Sequence, residues 1–482
     1  MPLVCISENR YDDMAVFFMV FSSLKFLLIF MPVFFGVYYM TPPKMRNTVL
    51  FIGSMCFYFS GTVENPEHLI LLLVSIAADF AAGILMCRYE KRKKLILTAG
   101  ILFHLTAIFM YKYSGFLFGE ISAGLGKFSP AFAPVMPVGI SFYTFQGISY
   151  LVDVYRGKIK AEESLLDFGV YISMFEQLIA GPIVTYDHVA EKLHHREIKK
   201  SSAADGFGLF IIGLGLKVLL ANPVGKLWTD VKAIGFESIS TPLAWMAIAA
   251  FSFQIYFDFF GYSLMAVGLG KMLGFDLPEN FNLPYVSRSM TEFWRRWHMT
   301  LGSWFREYVY IPLGGNRSGK AATVRNLLIV WLLTGVWHGA GYNFILWGMI
   351  LFLIITAEKY LIGDFLDGHL IASRLYMIIL IPLTWAVFAI EDMDKMTVFF
   401  SRLFPIFGEG AWSLFRYDYV KYLKMYWPFL LVCAVMSPVL PQNFLKKAEK
   451  RKLLWAILSA VLAACLYCMY KGLNDPFLYF RF

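Results

Sequence analysis

Long apolar runs, separated by short polar or basic stretches, recur along the chain. Runs of roughly 17 to 25 apolar residues have the length that an α-helix needs to cross a bilayer. This pattern predicts an all-α polytopic membrane protein with about ten to thirteen transmembrane helices. Residues 1–18 are predicted to form a short polar extension and residues 19–482 a single transmembrane domain. The runs begin near Phe26, Thr48, His68, Leu95, Val135, Phe168, Gly206, Leu243, Leu327, Phe344, Leu375, Trp427 and Leu454.

Polar residues, glycines and prolines interrupt some of these runs, at residues 137–153, 175–182, 254–263 and 333–343. Irregular backbone within a bilayer is tolerated only where it is buried in protein or lines a water-filled cavity. The interruptions therefore predict an internal polar site. Gln177 and Pro182 in the second of them indicate a re-entrant turn.

Composition and charge narrow the class of protein. The chain has 482 residues, of which 58% are hydrophobic and 16% charged, whereas soluble domains have about 25% charged residues. A soluble, disordered or coiled-coil protein is excluded. The net charge is +9, but the bases lie between the apolar runs, which is the positive-inside pattern of membrane proteins. A nucleic-acid-binding protein would instead need a basic domain facing water, so no nucleic-acid partner is expected.

Several common catalytic motifs are absent from the sequence. There is no GxxxxGK[ST] phosphate loop, no HExxH zinc motif and no GxSxG nucleophile elbow. Cys465 and Cys468 form a CxxC inside an apolar run, without a second pair, which favours core packing over zinc binding or a disulfide. We therefore expect no metal site and no bound cofactor.

Aromatic residues recur at helical spacing between Thr291 and Tyr310. Arg295 and Arg296 lie off this stripe, and a basic amphipathic helix with tryptophans is typical of a membrane interface. The spacing predicts one interfacial helix on the cytosolic side, in which His298 could be a simple polar anchor residue. The stripe consists of Trp294, Trp297, Leu301, Trp304 and Tyr308.

His338 ends the apolar run Leu327–Trp337 and is followed by Gly339 and Gly341. If that helix starts at the cytosolic face near Leu327, then at about 1.5 Å per residue His338 lies roughly 17 Å deep, near the middle of the bilayer. A histidine at that depth is expected to be neutral and to face protein or water. A neutral imidazole is a competent general base. The alternative is a structural histidine bonded to a neighbouring carbonyl group.

The other candidate residues carry less information by themselves. Asp258 lies between aromatic residues in "QIYFDFFGYS", where it could orient an imidazole or cap a broken helix. Tyr143, Gln146 and Asn343 could bind a substrate or one another, and Trp337 directly precedes the histidine. Because no protein nucleophile is evident, these residues favour direct transfer from an activated donor to a hydroxyl group.

Several stretches resemble the membrane-bound O-acyltransferase (MBOAT) family, and most of all its bacterial alginate O-acetylase branch. The signature region is 254–348, and the stretches are "FYTFQGISYLVDVYRG", "QLIAGPIV", "QIYFDFFGYS", "LPENFNLPYVSRSMTEFWRRWHMTLGSWFREYVYIPLGGNR" and "TGVWHGAGYNFILWG". The resemblance implies a ring of helices around a central funnel. It implies that His338 is catalytic and that His298 lines the funnel on the donor side. The chain departs from the branch at Leu264, usually aspartate, and at Glu176, usually proline.

The resemblance implies acetyl transfer from a cytosolic thioester, either acetyl-CoA or an acyl carrier, to hydroxyls of an exported or cell-wall polysaccharide. Arg295 and Arg296 would attract the phosphates or the acidic carrier of that donor. A separate extracytoplasmic acetyltransferase of the SGNH type is the implied partner, and the bacterial plasma membrane the implied location. Two alternatives stay open: D-alanyl transfer from a carrier protein to teichoic acid, and a non-enzymatic transporter.

Overall fold

The computed structural model describes residues 19–125, 134–179, 181–405, 417–446, 451–473 and 478. These residues form helices and connecting turns, with no β-strand among them. Within them, seven segments are long and apolar enough to cross a membrane: Glu67–Arg88, Glu90–Ile121, Lys200–Ile234, Thr241–Leu273, Tyr342–Gly368, Leu370–Ala389 and Lys452–Tyr470. The prediction of an all-α, multi-pass membrane protein is confirmed. The remaining predicted runs lie on helices that are shorter or more polar. The predicted extension 1–18 lies outside the described residues.

The chain divides into two compact units. The first comprises residues 19–210 and 262–279, and the second comprises residues 211–261 and 280–478. The helix Thr241–Leu273 contributes to both, because the division falls after Gly261. The single domain over residues 19–482 and the helix ring around a funnel stay predictions.

The helices of the first unit alternate long apolar segments with short connecting ones. They are α1 Met31–Met40, α2 Arg46–Ser60, α3 Glu67–Arg88, α4 Lys93–Ile108, α5 Ser114–Leu125, α6 Ile140–Arg156, α7 Leu165–Ser173, α8 Phe175–Leu178, α9 Tyr186–His194 and the start of α10 Lys200–Gly215. The break between α7 and α8 lies at Met174, whose backbone leaves the helical region with ψ of 116°. A helix interrupted at this place agrees with the irregular segment predicted at residues 175–182.

Buried polar groups in the first unit include a carboxylate–imidazole contact and a further carboxyl group. Asp79 on α3 lies 2.9 Å from Nε2 of His104 on α4. Glu176 on α8 is fully buried, and its carboxyl oxygens have no hydrogen-bond partner among the described residues. Burial raises the pKa of Glu176 to about 7, because the charged form loses its hydration. This position thus holds an acid whose charged form is disfavoured by burial, where the resembled branch usually has proline.

The second unit contains the end of α10, a π-helical turn Leu216–Ala221, and most of the signature region. Its other helices are α11 Asn222–Ile234, the first part of α12 Thr241–Leu273, α13 Met290–Arg296, α14 Met299–Phe305, α15 Lys320–His338, α16 Tyr342–Ala357, α17 Gly363–Gly368, α18 Leu370–Ala389, α19 Met393–Leu403, α20 Asp418–Met436 and α21 Arg451–Tyr470.

Helices α15 and α16 form a tight hairpin that presents His338 at its tip. A Cβ atom at Gly335 would lie 2.3 Å from the carbonyl oxygen of Phe344, and one at Gly348 would lie 2.5 Å from that of Trp331. Glycine is therefore needed at both positions, because the two backbones meet there. The helix ends at His338, as the apolar run predicts, but it begins at Lys320 rather than near Leu327. The depth of His338 in a membrane stays a prediction.

Candidate active site

The segment 291–310 is not the single interfacial helix that the aromatic spacing predicts. It is divided into α13 and α14, and His298 between them has a left-handed backbone with φ of 45°. The prediction is wrong because distant groups replace the helical hydrogen bonds at this point. The N–H of Met299 donates to the carbonyl oxygen of Asn280, and the carbonyl oxygen of Arg296 accepts from the N–H of Asn282, both at 2.9 Å.

The aromatic stripe of this segment packs on protein. Trp294 lies 5.3 Å from Trp331 and 5.4 Å from Trp347, and Trp297 lies 5.0 Å from Trp385, measured between ring centroids. These tilted and edge-on arrangements are the ones that aromatic pairs prefer. The tryptophans that indicated a membrane interface therefore pack against aromatic residues of other helices in the second unit.

The imidazole of His298 is held in one orientation by Asn280. Its Nδ1 lies 3.2 Å from Oδ1 of Asn280, which also accepts from the backbone N–H of Thr300 at 3.3 Å. Because a backbone N–H can only donate, the shared atom is an oxygen, and Nδ1–H of His298 must donate to it. The opposite nitrogen, Nε2, then carries a lone pair, and it has no hydrogen-bond partner among the described residues.

Burial keeps this imidazole uncharged. His298 is 2% exposed, and the ring of Phe259 meets it edge-on at 4.8 Å. Loss of hydration lowers the pKa of His298 to about 3. A neutral imidazole with a fixed tautomer and an available lone pair can accept a hydrogen bond or a proton from a substrate.

His338 lies in the same aromatic enclosure. Its ring is 5.1 Å from both Trp347 and Phe388, and both of these rings meet it edge-on. Trp337 contacts both histidines, with its centroid 4.8 Å from His338 and 6.1 Å from His298. The structure thus brings together His298, Trp337 and His338, three of the residues predicted from the sequence.

Asn343 supports this enclosure from the start of α16. Its Nδ2 donates to the carbonyl oxygen of Phe388 at 3.0 Å, and the residue is fully buried. This bond ties α16 to the end of α18 beside the ring that contacts His338. Asn343 therefore has a positioning role in the structure, whereas its predicted contact with a substrate stays a prediction.

Asp258 is engaged with a lysine that the sequence analysis did not single out. Its Oδ1 lies 2.6 Å from Nζ of Lys217, and its Oδ2 accepts from the N–H of Leu478 at 2.7 Å. Nζ of Lys217 also donates to Oδ1 of Asn222 at 2.8 Å. The predicted role of Asp258 in orienting an imidazole is filled for His298 by Asn280. Lys217, alone among apolar residues in "IIGLGLKVLLA", could have been found as an ionisable residue within a membrane span.

Tyr143 and Gln146 belong to the first unit, on α6. Both side chains are 1% exposed. Neither the Tyr143 hydroxyl nor the Gln146 side-chain amide has a hydrogen-bond partner among the described residues. Their predicted contact with substrate stays a prediction.

The two neighbouring arginines differ in availability. Arg296 forms an ion pair with Glu292 at 2.8 Å and donates to the carbonyl oxygen of Asn282 at 3.1 Å. Arg295 is exposed, and no ion pair involves it within the described part of the chain. Arg295 is therefore the better placed of the two to bind an anionic ligand.

Comparisons with known proteins identify the family of the chain. The membrane-bound O-acyltransferase family profile matches residues 158–390. The chain is 36% identical over 402 residues to a probable alginate O-acetylase of Azotobacter vinelandii, covering 82% of this chain and 79% of that protein. It is 32% identical over 378 residues to a peptidoglycan O-acetyltransferase of Helicobacter pylori, covering 71% of each.

A more distant relative is the teichoic acid D-alanyltransferase of Bacillus subtilis, which is 27% identical over 320 residues. That match covers 61% of this chain and 79% of the relative. Coverage and identity of the O-acetylase and O-acetyltransferase relatives, together with the family match, decide the assignment. The chain is an acyltransferase and belongs to the membrane-bound O-acyltransferase family.

Proposed function

We propose that this protein moves an acetyl group from a cytosolic thioester donor to hydroxyl groups of an exported or cell-wall polysaccharide, across the bacterial plasma membrane. The similarity to an alginate O-acetylase and a peptidoglycan O-acetyltransferase supports this substrate class. The observation that carries the proposal is the paired imidazoles at Trp337, of which His298 has a fixed tautomer and an available lone pair.

The proposed chemistry uses His338 as the general base. His338 takes the proton of the acceptor hydroxyl while the hydroxyl oxygen attacks the thioester carbonyl carbon. The carbon–sulfur bond then breaks, and the leaving thiolate takes the proton from the His338 imidazolium, so that no net proton is consumed. His298 accepts a hydrogen bond at Nε2 from the donor, which fixes the thioester near His338.

The thioester donor is proposed to bind at exposed arginines of the signature region. Arg295 is exposed there, and Arg306 and Arg317 are exposed further along the same segment. Guanidinium groups bind phosphate oxygens through paired hydrogen bonds, which suits acetyl-CoA or the prosthetic group of an acyl carrier. An extracytoplasmic acetyltransferase of the SGNH type is the proposed partner that receives the acetyl group when the transfer is indirect.

The test uses the purified full-length protein in proteoliposomes, with an acetyl thioester on one side and polysaccharide oligomers on the other. Thiol release and the acetyl content of the oligomers are measured. We expect His338→Ala to slow transfer by about 10²- to 10⁴-fold, the usual contribution of a general base. The matched control is His369→Ala, since His369 is an exposed histidine of the same unit. A folded His338→Ala protein with full activity would refute the base assignment.

D-alanyl transfer is the second candidate, because a teichoic acid D-alanyltransferase matches 61% of the chain. The same assay separates the two functions when a D-alanyl carrier protein replaces the acetyl donor. Turnover with that donor alone favours the second candidate. Intact thioester with either donor, together with substrate movement across the membrane, favours a transporter and overturns both transferase proposals.

A further inference from the structure

A cluster of two carboxylates and one imidazole lies in the first unit. None of its three residues is assigned a part in acyl transfer. Glu162 precedes α7, Asp167 lies in its first turn, and His194 is the last residue of α9. One ligand atom from each lies within 4.8 Å of the other two. The sequence predicts no metal site, since these residues have no recognisable ligand spacing and only the fold brings them together.

Each carboxylate of the cluster has one oxygen held by N–H donors. Oε1 of Glu162 accepts from the backbone N–H groups of Glu163 at 2.9 Å and Ser164 at 2.8 Å. Oδ1 of Asp167 accepts from the side-chain amide of Asn47. Carboxylates that bind metals are usually fixed by such outer hydrogen bonds, which orient the other oxygen toward the ion.

The other oxygen of each carboxylate faces His194. Oε2 of Glu162 lies 3.1 Å from Nε2, and Oδ2 of Asp167 lies 3.7 Å from Nδ1. Ligands bound tetrahedrally at about 2.0–2.1 Å from a zinc ion are about 3.3 Å from one another. The first separation is close to that value. Because the two carboxylates face different nitrogens of the ring, binding of one ion requires the His194 ring to turn or the Asp167 side chain to move, so that both carboxylate oxygens lie near the same nitrogen.

Burial and charge also suit a cation. The Glu162 side chain is 4% exposed and that of His194 is 45% exposed, so the site has a dry inner side and a face open to water. The hydroxyl of Tyr186 donates to Oε2 of Glu162 and closes the inner side. Two carboxylates supply the charge that neutralises a divalent ion, and an imidazole favours a first-row transition metal over Mg²⁺ or Ca²⁺.

We propose that Glu162, Asp167 and His194 bind a divalent transition-metal ion of the Zn²⁺ class, with water in the remaining positions. Such an ion ties the start of α7 to the end of α9, and Asn47 links α2 to the same point. Its role is therefore to fix these helix ends. The proposal does not depend on the acyl-transfer function, because the ion is placed at residues to which no part in that reaction is assigned.

The experiment measures Zn²⁺ binding by the full-length protein, purified in detergent without a polyhistidine tag and stripped with a chelator. Binding is followed by competition with a chromophoric zinc indicator, and the bound metal is counted by mass spectrometry. The variants are His194→Gln and Asp167→Asn, each checked for a monodisperse, folded profile. The matched control is His195→Gln, which removes an exposed histidine next to the proposed ligand.

We expect the wild-type and His195→Gln proteins to bind one equivalent of Zn²⁺, and the His194→Gln and Asp167→Asn proteins to bind at least about tenfold more weakly. Zinc should also raise the melting temperatures of the wild-type and His195→Gln proteins. It should leave those of the His194→Gln and Asp167→Asn proteins unchanged. Equal binding by the wild-type and His194→Gln proteins, or no binding by either, overturns the proposal and leaves His194 as a histidine that contacts two carboxylates. Since no donor or acceptor is present, this failure is distinct from failure of the acyl-transfer proposal.

Discussion

The buried pair of Lys217 and Asp258 allows a quantitative prediction of how substitutions in the second unit change the free energy of unfolding. Both side chains are at most 3% exposed, and Nζ lies 2.6 Å from Oδ1. The substitution Asp258→Asn removes the negative charge with little change of shape. It leaves the ammonium group of Lys217 buried without a carboxylate at Oδ1 of residue 258, while Nζ still donates to Oδ1 of Asn222 at 2.8 Å.

The expected cost follows from burial. Removal of one partner of a buried ion pair costs about 3–5 kcal/mol, because the other charge stays desolvated without compensation. Lys217→Met should cost a similar amount, since the carboxylate of Asp258 then loses its cationic partner and retains the N–H of Leu478 as a hydrogen-bond donor. The double variant Lys217→Met with Asp258→Leu removes both charges, so it should cost less than either single substitution.

The free energy of unfolding is measured by titration with denaturing detergent from mixed micelles, and the double-mutant cycle gives the coupling energy. The control is Arg296→Gln, which breaks an ion pair whose side chains are 30% and 32% exposed; an exposed pair of this kind contributes about 0.5 kcal/mol or less. The reasoning is refuted if Asp258→Asn costs no more than the control, or if the two single costs simply add.

Three further predictions concern the site and its hairpin. The pKa of His298 is lowered to about 3 in the folded protein, so the unfolded chain takes up a proton at a higher pH than the folded protein does. The free energy of unfolding should therefore fall as the pH drops below the unfolded pKa of about 6.5, by about 2 kcal/mol at pH 5. The His298→Gln protein should lack this pH dependence, and a profile equal to that of the wild type would contradict the prediction. Gly335→Ala should cost about 1–3 kcal/mol by forcing the hairpin apart, while Gly368→Ala, where a Cβ meets nothing within 4 Å, should be neutral in the same unfolding titration. Arg295→Gln should raise the KM for the thioester donor more than Arg296→Gln, because only the second arginine is already paired with Glu292; the reverse order would exclude Arg295 as the principal donor contact.

The apolar runs of the sequence are enough to predict the class of fold and the placement of His338 at the end of a helix. A membrane span must satisfy its own backbone and be apolar over its length, so each of the seven long apolar segments in the described part of the chain is visible in a local stretch of sequence. The end of α15 at His338 is also marked by a local signal, because Gly339 and Gly341 follow directly after the apolar run and the histidine. The resemblance of the signature motifs to a known family added the function class, which the comparisons confirm.

The partners of the polar residues, in contrast, depend on how the helices pack together. The break at His298 depends on Asn280, which takes hydrogen bonds that a continuous helix would make internally. The aromatic spacing of that segment was real, but periodicity identifies a buried face without saying whether lipid or protein covers it. Asp258 likewise found its partner in Lys217, a residue distant in the chain. Such pairings are fixed by packing between helices, which no local pattern encodes, and they decide which imidazole nitrogen is free to act.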